Sequence, residues 1–180
     1  LRPLRQAAAL RLAVATSPDR GVLHVIHHHG GGTETHVRAL IEASRDRWRH
    51  YLAIAVGDDW QIEEHRADGT VVTFDFQRGA HERWRDFLEG ICATFGVALL
   101  HLHNISACRD GILTALEDPP VPFGYTVHDL NFACPTITFL GPDGRYCGAQ
   151  TDPATCGRCL AAQPLFVDVD IVAWRARHHA

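Results

Sequence analysis

The sequence predicts an α/β domain with a doubly wound, mostly parallel sheet and an irregular, cysteine-containing excursion near its C-terminus. Short β-branched apolar runs alternate with segments of helical periodicity, which is the pattern of repeated βαβ units. The first run ends at three consecutive glycines, which mark a turn from strand to helix. After Cys134 the alternation stops, and residues 134–162 are predicted to form a long irregular loop.

Five apolar runs are predicted to be strands of one sheet. They begin at Val22, Tyr51, Thr70, Val97 and Pro122. The second run is apolar almost throughout, as expected of a strand that is buried on both faces. The fifth is predicted to extend to His128. Since 180 residues are enough for one hydrophobic core, we expect a single domain over residues 1–180.

Three helices are predicted between the strands. The first begins at Thr33, whose hydroxyl is a favourable N-cap, and has Glu34 in its first turn near the positive end of the helix dipole. Val37, Leu40 and Ile41 give it one apolar face. The others cover residues 81–95, with Trp84, Phe87, Leu88 and Ile91 on one side, and residues 108–117, ending before two prolines.

Composition excludes several classes of function. A formal net charge of −4 gives no basic surface for nucleic acid, which we therefore exclude as a partner. All 17 basic residues are arginine, so no lysine can bind phosphate, form a Schiff base or act as a general base. No apolar run reaches the roughly 18 residues that span a bilayer. Six cysteines are compatible with three disulfides, but the length and the α/β pattern favour a reduced, cytoplasmic setting.

The two ends of the chain suggest a fragment. Residues 1–16 contain arginine, alanine and leucine but no acidic residue, as targeting peptides do. Arginines interrupt that stretch, so we expect a leading helix or strand instead. The chain has no methionine and stops abruptly after residues 174–180, which we interpret as part of a longer protein.

The glycine loop, formed by Gly30, Gly31 and Gly32, is the first candidate binding element. Glycines let the backbone approach a ligand closely, and the helix that follows directs free amides at an anion. These features predict phosphate binding. The loop matches neither G-x-G-x-x-G nor the Walker A pattern, so a tight turn without a ligand is the alternative.

Histidines end two of the predicted strands. His27, His28 and His29 follow one another, so at most two share a face of the strand, and polar residues at a strand end are a better interpretation than a metal site. His101 and His103 do share a face, and the second lies nearer the carboxyl end. Such a pair can begin a hydrolase metal site, but no downstream cluster supplies the carboxylates that it needs.

His128 and Asp129 follow the fifth strand. A histidine there can donate a hydrogen bond or act as a general base near neutral pH. The aspartate can orient that histidine, contact sugar hydroxyls or cap the following turn. We select both as candidate catalytic residues.

Four cysteines in the excursion have spacing typical of a structural metal site: Cys134, Cys147, Cys156 and Cys159. The last two form a C-x-x-C knuckle, and four thiolates are the ligand set of structural zinc. A metal would fix a segment that buries little apolar area. Two disulfides, an iron–sulfur cluster and unlinked thiols remain alternatives. Cys92 and Cys108 lie in helical segments and are predicted to be small core residues.

Three segments together resemble a known family. They are residues 30–34, residues 100–104 and residues 125–135, with Val-His-Asp and a trailing Cys-Pro in the third. Over about residues 22–174 the chain is similar to the N-terminal half of a retaining glycosyltransferase of family four with the GT-B fold. The resemblance implies two Rossmann-like domains, of which the N-terminal one holds the acceptor. The other holds the nucleotide-sugar donor and carries a Glu-x7-Glu signature that this chain lacks.

The resemblance also implies roles for individual residues. Gly31 and Gly32 would lie near the donor phosphates, and His128 would face the reacting sugar with Asp129 beside it. The remaining residues expected at the substrates are Gly30, Thr33, His103 and Asn104. Because parallel strands end on the same side of a sheet, we expect the glycine loop, His103 and His128 to converge on one cleft.

The expected partners and setting follow from the same resemblance. The partners are a nucleotide sugar, a saccharide acceptor and the protein's own C-terminal donor domain, without which the fragment is expected to be inactive. The expected location is the cytoplasm, with peripheral association of the full enzyme at the inner face of the membrane. No catalytic cofactor is expected, so zinc at the cysteines would be structural.

The sequence is also compatible with two other classes of function. One is a metal-dependent hydrolase built on strand-end histidines, namely His27, His101, His103 and His128 with Asp129. The other is a non-catalytic binding module that uses the cysteine loop as an interaction surface. Metal at the histidines would favour the first, whereas metal at the cysteines with an empty cleft would leave the second open.

Overall fold

The computed structural model describes residues 21–106, 109–130 and 133–178. The chain divides into two compact units, residues 1–126 and residues 127–180. The predictions for residues 1–16 and for Cys108 lie outside the described residues. Within the described part of the chain, no helix has the length and apolar character needed to cross a membrane.

In the residues that the structure describes, the first unit contains six strands and three helices. The strands are β1 (Gly21–His27), β2 (Arg49–Val56), β3 (Asp59–His65), β4 (Val71–Gln77), β5 (Val97–Leu102) and β6 (Phe123–Tyr125). The helices are α1 (Gly32–Ser44), α2 (Trp84–Phe95) and α3 (Arg109–Leu116). All five predicted strands and all three predicted helices are present, with α2 beginning later than expected.

The strands form one sheet in the order β4-β3-β2-β1-β5-β6. β1 pairs in parallel with β2 and β5, and β5 pairs in parallel with β6. β3 is antiparallel to both β2 and β4. The α/β class is therefore confirmed, but the sheet is mixed, and the prediction of a mostly parallel sheet is wrong.

The sheet is mixed because of β3, a strand that our sequence analysis missed. β2 and β3 are joined by a two-residue turn of Gly57 and Asp58, in which the glycine has φ of 60°. Gly-Asp is a dipeptide that favours such hairpins. In β3, buried Trp60 and Ile62 alternate with polar residues, which is the period of a strand. The local signal was therefore present in the sequence.

Helices cover both faces of the sheet. On one face, Ile26 and Leu52 pack against Val37 and Ile41 of α1. The opposite face carries the larger core, to which α2 and α3 contribute. Cys92 of α2 is buried there, as predicted, and burial raises the pKa of its thiol to about 12.

The two helices of the larger core approach each other closely at one glycine. A Cβ atom at Gly111 of α3 would lie 1.7 Å from Nε1 of Trp84 in α2. The indole is in turn held by aromatic neighbours, with its ring centre 6.0 Å from that of Trp60 and 5.9 Å from that of Phe87. Only a residue without a side chain fits this contact.

Two element boundaries differ from the sequence-based expectation. α1 has Gly31, not Thr33, at its N-cap, and no side chain caps it. β6 ends at Tyr125 instead of reaching His128. Its partner β5 ends at Leu102, whose carbonyl accepts one further hydrogen bond from the amide of Thr126. After that bond, β5 has no residue left with which β6 could pair.

Within residues 127–130 and 133–178, the second unit contains two helices after an irregular segment: α4 (Pro153–Ala161) and α5 (Ile171–His178). Asp152 caps α4, because its carboxylate accepts hydrogen bonds from the amides of residues 154 and 155. Leu160, Ile171 and Trp174 form a small core. The predicted excursion is thus irregular in its first part, whereas α4 occupies its last third.

Candidate functional site

The glycine loop lies at the carboxyl end of β1 and leads into α1. Gly30 and Gly31 have φ of 69° and 81°, and ψ of −152° at Gly31 places it in a region open essentially to glycine alone. No side chain caps the helix, so its first amides are not satisfied in that way. Glu34 is paired with Arg38 at 2.8 Å, but Arg38 also binds Glu63, so this pairing offsets only part of the repulsion between Glu34 and an anion at this end.

Thr33, His103 and Asn104 occupy different surroundings. Thr33 is half-buried in the first turn of α1. His103 and Asn104 directly follow β5 and are almost fully buried, at 1% and 4% exposure. The Asn104 side chain accepts a hydrogen bond from the amide of Ser106, which stabilises the turn after the strand.

His103 belongs to a cluster of histidines on the α1 face of the sheet. His24 of β1 and His101 of β5 are register partners in adjacent parallel strands, and His103 lies two residues further on the same face. The ring centre of His24 is 5.2 Å from that of His101 and 5.3 Å from that of His103, which are 4.0 Å from each other. These three residues are called the histidine triad below.

A hydrogen-bonded chain extends from the triad to the end of α1. Nδ1 of His24 is 3.1 Å from Nε2 of His103, and Nε2 of His24 is 3.1 Å from Nδ1 of His50. Nε2 of His50 is 3.1 Å from the Ser44 hydroxyl, which donates to the Leu40 carbonyl at 2.6 Å. Every link therefore has hydrogen-bonding length.

The hydrogen bond from the Ser44 hydroxyl to the Leu40 carbonyl determines which atom donates in each of the other hydrogen bonds of this chain. Since the single hydroxyl proton of Ser44 is given to a carbonyl, its oxygen must accept from Nε2–H of His50. A neutral His50 then accepts at Nδ1 from Nε2–H of His24, and His24 accepts at Nδ1 from Nε2–H of His103. The arrangement satisfies both ring nitrogens of His24 and of His50 without a charge.

Burial keeps these rings neutral. It lowers the pKa of His24 from 6.5 to about 2, and repulsion by His101, His103 and His50 acts in the same direction. Burial also lowers the pKa of His50, although a hydrogen bond to the backbone of Ser44 partly opposes this. Neutral imidazole is the form of histidine that binds metals.

The histidine triad could hold a metal ion. One ring nitrogen from each of its residues lies within 4.8 Å of the other two. Two nitrogens bound to one zinc at about 2.0–2.1 Å with a tetrahedral angle lie roughly 3.3 Å apart. The 3.1 Å between His24 Nδ1 and His103 Nε2 is close to that spacing.

The other strand-end histidines are placed differently from the triad. His28 and His29 are exposed, and the half-buried His27 accepts a hydrogen bond at Nδ1 from the amide of His29. The triad thus contains His24 where our hydrolase alternative had expected His27. His128 and Asp129 are half-buried residues of the second unit. The predicted convergence of His128 with the glycine loop stays a prediction.

All four cysteines of the excursion line one small cavity of about 50 Å³ in the second unit: Cys134, Cys147, Cys156 and Cys159. The five described cysteines are free, with no disulfide among them. Arg175 of α5 approaches Cys156 Sγ at 3.2 Å. Burial raises the pKa of that thiol, while the guanidinium opposes the rise. The four residues that the spacing had selected therefore line one cavity, although in the described structure no three of their sulfur atoms lie within 4.8 Å of one another.

Sequence reasoning missed His24 and His50. Each lies inside an apolar strand, where a single polar residue is unremarkable, and neither is part of a motif. That these histidines lie side by side can be recognised only once the pairing of β1 with β2 and β5 is known.

Comparison with protein-family models, with curated proteins and with solved structures found no match to this chain. The likeness to family four glycosyltransferases therefore rests on the three short segments alone.

Proposed function

We propose that this chain is the acceptor-binding domain of a retaining glycosyltransferase with the GT-B fold. It would help to move a sugar from a nucleotide-sugar donor to a hydroxyl of a saccharide or another acceptor. The observation that carries the proposal is the glycine loop, an exposed turn between the buried strand β1 and an uncapped 13-residue helix. The order and spacing of the three similar segments add to it.

In this scheme the acceptor hydroxyl attacks the anomeric carbon on the face from which the nucleotide leaves. The protein contributes positioning and stabilisation of charge. The first amides of α1 would bind the donor phosphates, and Arg38, which pairs with both Glu34 and Glu63, would reduce the opposition of the Glu34 carboxylate. His128 would hold a hydrogen bond at the reacting sugar, with Asp129 as its orienting neighbour.

Amide NMR tests the phosphate contact directly. We expect uridine or guanosine diphosphate, added at millimolar concentration, to shift the amide signals of residues 30–35. Gly31→Ala should abolish these shifts, because its backbone conformation costs a side chain about 1 to 3 kcal/mol and the loop would rearrange. Gly57→Ala is the matched control, since Gly57 also has positive φ and open space but lies in the β2–β3 turn.

Unchanged signals at residues 30–35 with every nucleotide diphosphate would contradict the proposal. A second measurement uses a longer chain that includes a donor domain. There, His128→Ala should lower the rate of sugar transfer much more than the thermal midpoint. A large fall in midpoint with nearly normal turnover per folded molecule would make His128 a structural residue.

We propose further that the four excursion cysteines bind one structural zinc ion. Their common cavity and the guanidinium of Arg175 beside Cys156 support this, because a cation offsets the negative charge of four thiolates. Elemental analysis should find that Cys156→Ser and Cys159→Ser each lower the zinc content by one equivalent, while Cys92→Ser, a core substitution, leaves it unchanged. A disulfide between any two of the four in freshly purified protein would reject the assignment.

A hydrolytic role for the histidines has less support. The triad includes no carboxylate, and two of its members are almost fully buried. Substrate would have little access to a metal there.

A further inference from the structure

We propose that the histidine triad binds one divalent ion of the zinc, nickel or copper class, and that this ion cross-links β1 to β5 inside the first unit. The site would be structural. It is independent of the sugar transfer proposed above and of the cysteine cavity, which lies in the second unit.

The backbone already places the three rings in position. His24 and His101 are register partners across a parallel strand pair, and the amide of His103 donates to the carbonyl of Val25 at 3.0 Å, so both strands are fixed at this point. Nδ1 of His24 and Nε2 of His103 are 3.1 Å apart. One ring nitrogen of each residue lies within 4.8 Å of the other two, so side-chain movements of roughly 1–2 Å bring all three to the spacing of bound ligands.

The donor set selects the class of metal. Imidazole nitrogen suits zinc, copper and nickel, whereas magnesium and calcium require oxygen ligands, which the triad does not contain. Three protein nitrogens leave a fourth position for water. His101 is only half-buried, so the cluster is not sealed on that side, and an ion and a water molecule have a path to it.

Neighbouring groups provide the outer contacts that metal-bound histidines normally have. With an ion on Nδ1 of His24, its Nε2–H still donates to His50, which is held by Ser44. The Thr126 hydroxyl is 2.8 Å from Nε2 of His101 and orients that ring. These contacts would hold two of the three ligands in place before the ion arrives.

A metal ion and a hydrogen bond compete for the same two nitrogens, Nδ1 of His24 and Nε2 of His103. Without metal, a proton lies between Nδ1 of His24 and Nε2 of His103. An ion that takes both nitrogens displaces this proton to Nδ1 of His103, so the neutral ring changes tautomer and no proton is lost. The link between His24 and His50 is unaffected. The two states therefore differ at identifiable ring nitrogens, which an experiment can observe.

The decisive experiment is a zinc titration of the full chain after removal of metal with a chelator. Histidine ring ¹⁵N signals are followed by NMR, which reports bonding at each nitrogen. We expect the ring signals of His24, His101 and His103 to shift together and to saturate within two equivalents, since the cysteine cavity is expected to take one of them. His28 and His29 are exposed control residues, whose signals should move only at higher zinc concentrations.

Variants test the assignment independently. His101→Gln should remove one tight site, measured by competition with a chromophoric chelator, while His29→Gln should remove none. Ser44→Ala should weaken binding about 10- to 100-fold, because it releases the outer contact of His50. Cobalt at the triad should lack the sulfur-to-metal charge-transfer absorption expected of cobalt at the cysteines.

The proposal fails if the ring signals of the triad in the wild-type chain stay unchanged after two equivalents of zinc have been added, of which the cysteine cavity is expected to take one. That measurement requires no substitution, so a variant that does not fold cannot obscure it. It also fails if His101→Gln is folded and retains the same number of tight sites. Either result would leave the cluster as a hydrogen-bonded chain of neutral histidines.

Discussion

Burial of His24 should make the stability of the first unit strongly dependent on pH. Its pKa falls from 6.5 to about 2 in the folded state, first because of burial and then because of repulsion by neighbouring histidines. The unfolded chain therefore binds a proton that the folded chain excludes. The stability is fully present above pH 6.5 and is lost as the pH falls from there towards the folded pKa.

The size of the loss follows from the width of this interval. Each pH unit below 6.5 costs about 1.4 kcal/mol, so lowering the pH from 8 to 5 should cost about 2 kcal/mol from His24 alone. The figure hardly depends on the folded pKa as long as that value is well below 5. It is a large part of the about 5–15 kcal/mol by which domains are stable. His50 acts in the same direction, since its pKa is also lowered.

The contribution of His24 is isolated by comparing variants. The free energy of unfolding is measured with urea at pH 8 and at pH 5, with a chelator present to exclude metal. Between these two pH values the wild-type chain should lose about 2 kcal/mol more of this free energy than His24→Gln does. Glutamine can keep hydrogen bonds but does not titrate in this range. His29→Gln, at an exposed position, should behave like the wild type.

An equal pH dependence of wild type and His24→Gln would refute this reasoning. It would mean that His24 is hydrated or protonated in the folded chain. The direction of the hydrogen bonds from His103 to Ser44 would then need to be reassigned.

Two further predictions concern packing and the attachment of α1. Gly111→Ala should destabilise the chain by about 1–2 kcal/mol in thermal unfolding, because the clash with the indole of α2 costs more free energy than the higher helix propensity of alanine contributes. Gly90 is exposed and a side chain there meets no neighbour, so Gly90→Ala should stabilise the chain by about 0.5–1 kcal/mol. Arg38→Ala should cost about 1–2 kcal/mol, because it breaks two bonds of 2.7 and 3.0 Å to the largely buried Glu63. Arg83→Ala removes only an exposed pair and should leave the midpoint unchanged. A rise in midpoint for Gly111→Ala, or no change for Arg38→Ala, would contradict these assignments.

The sequence by itself determined most of the secondary structure. The apolar runs of β1, β2 and β5 and the periodic face of α2 are local patterns, and each element formed where its pattern lies. The glycine loop was also local, because positive φ at Gly30 and Gly31 requires that residue type. Even β3 had a readable turn and alternation, so missing it was an error of interpretation and not a lack of signal.

The tertiary structure alone decided which residues form the cluster on the α1 face. His24 lies 79 residues from His103 and 26 residues from His50 along the chain. The sequence around each histidine contains no signal that it contacts the other two. The side chains meet because β1 lies between β2 and β5 and because the parallel register sets His24 against His101. Strand order and register depend on contacts distant in sequence, whereas turn and periodicity signals act over a few residues. For that physical reason the glycine loop was predictable from the chain, and the histidine triad was not.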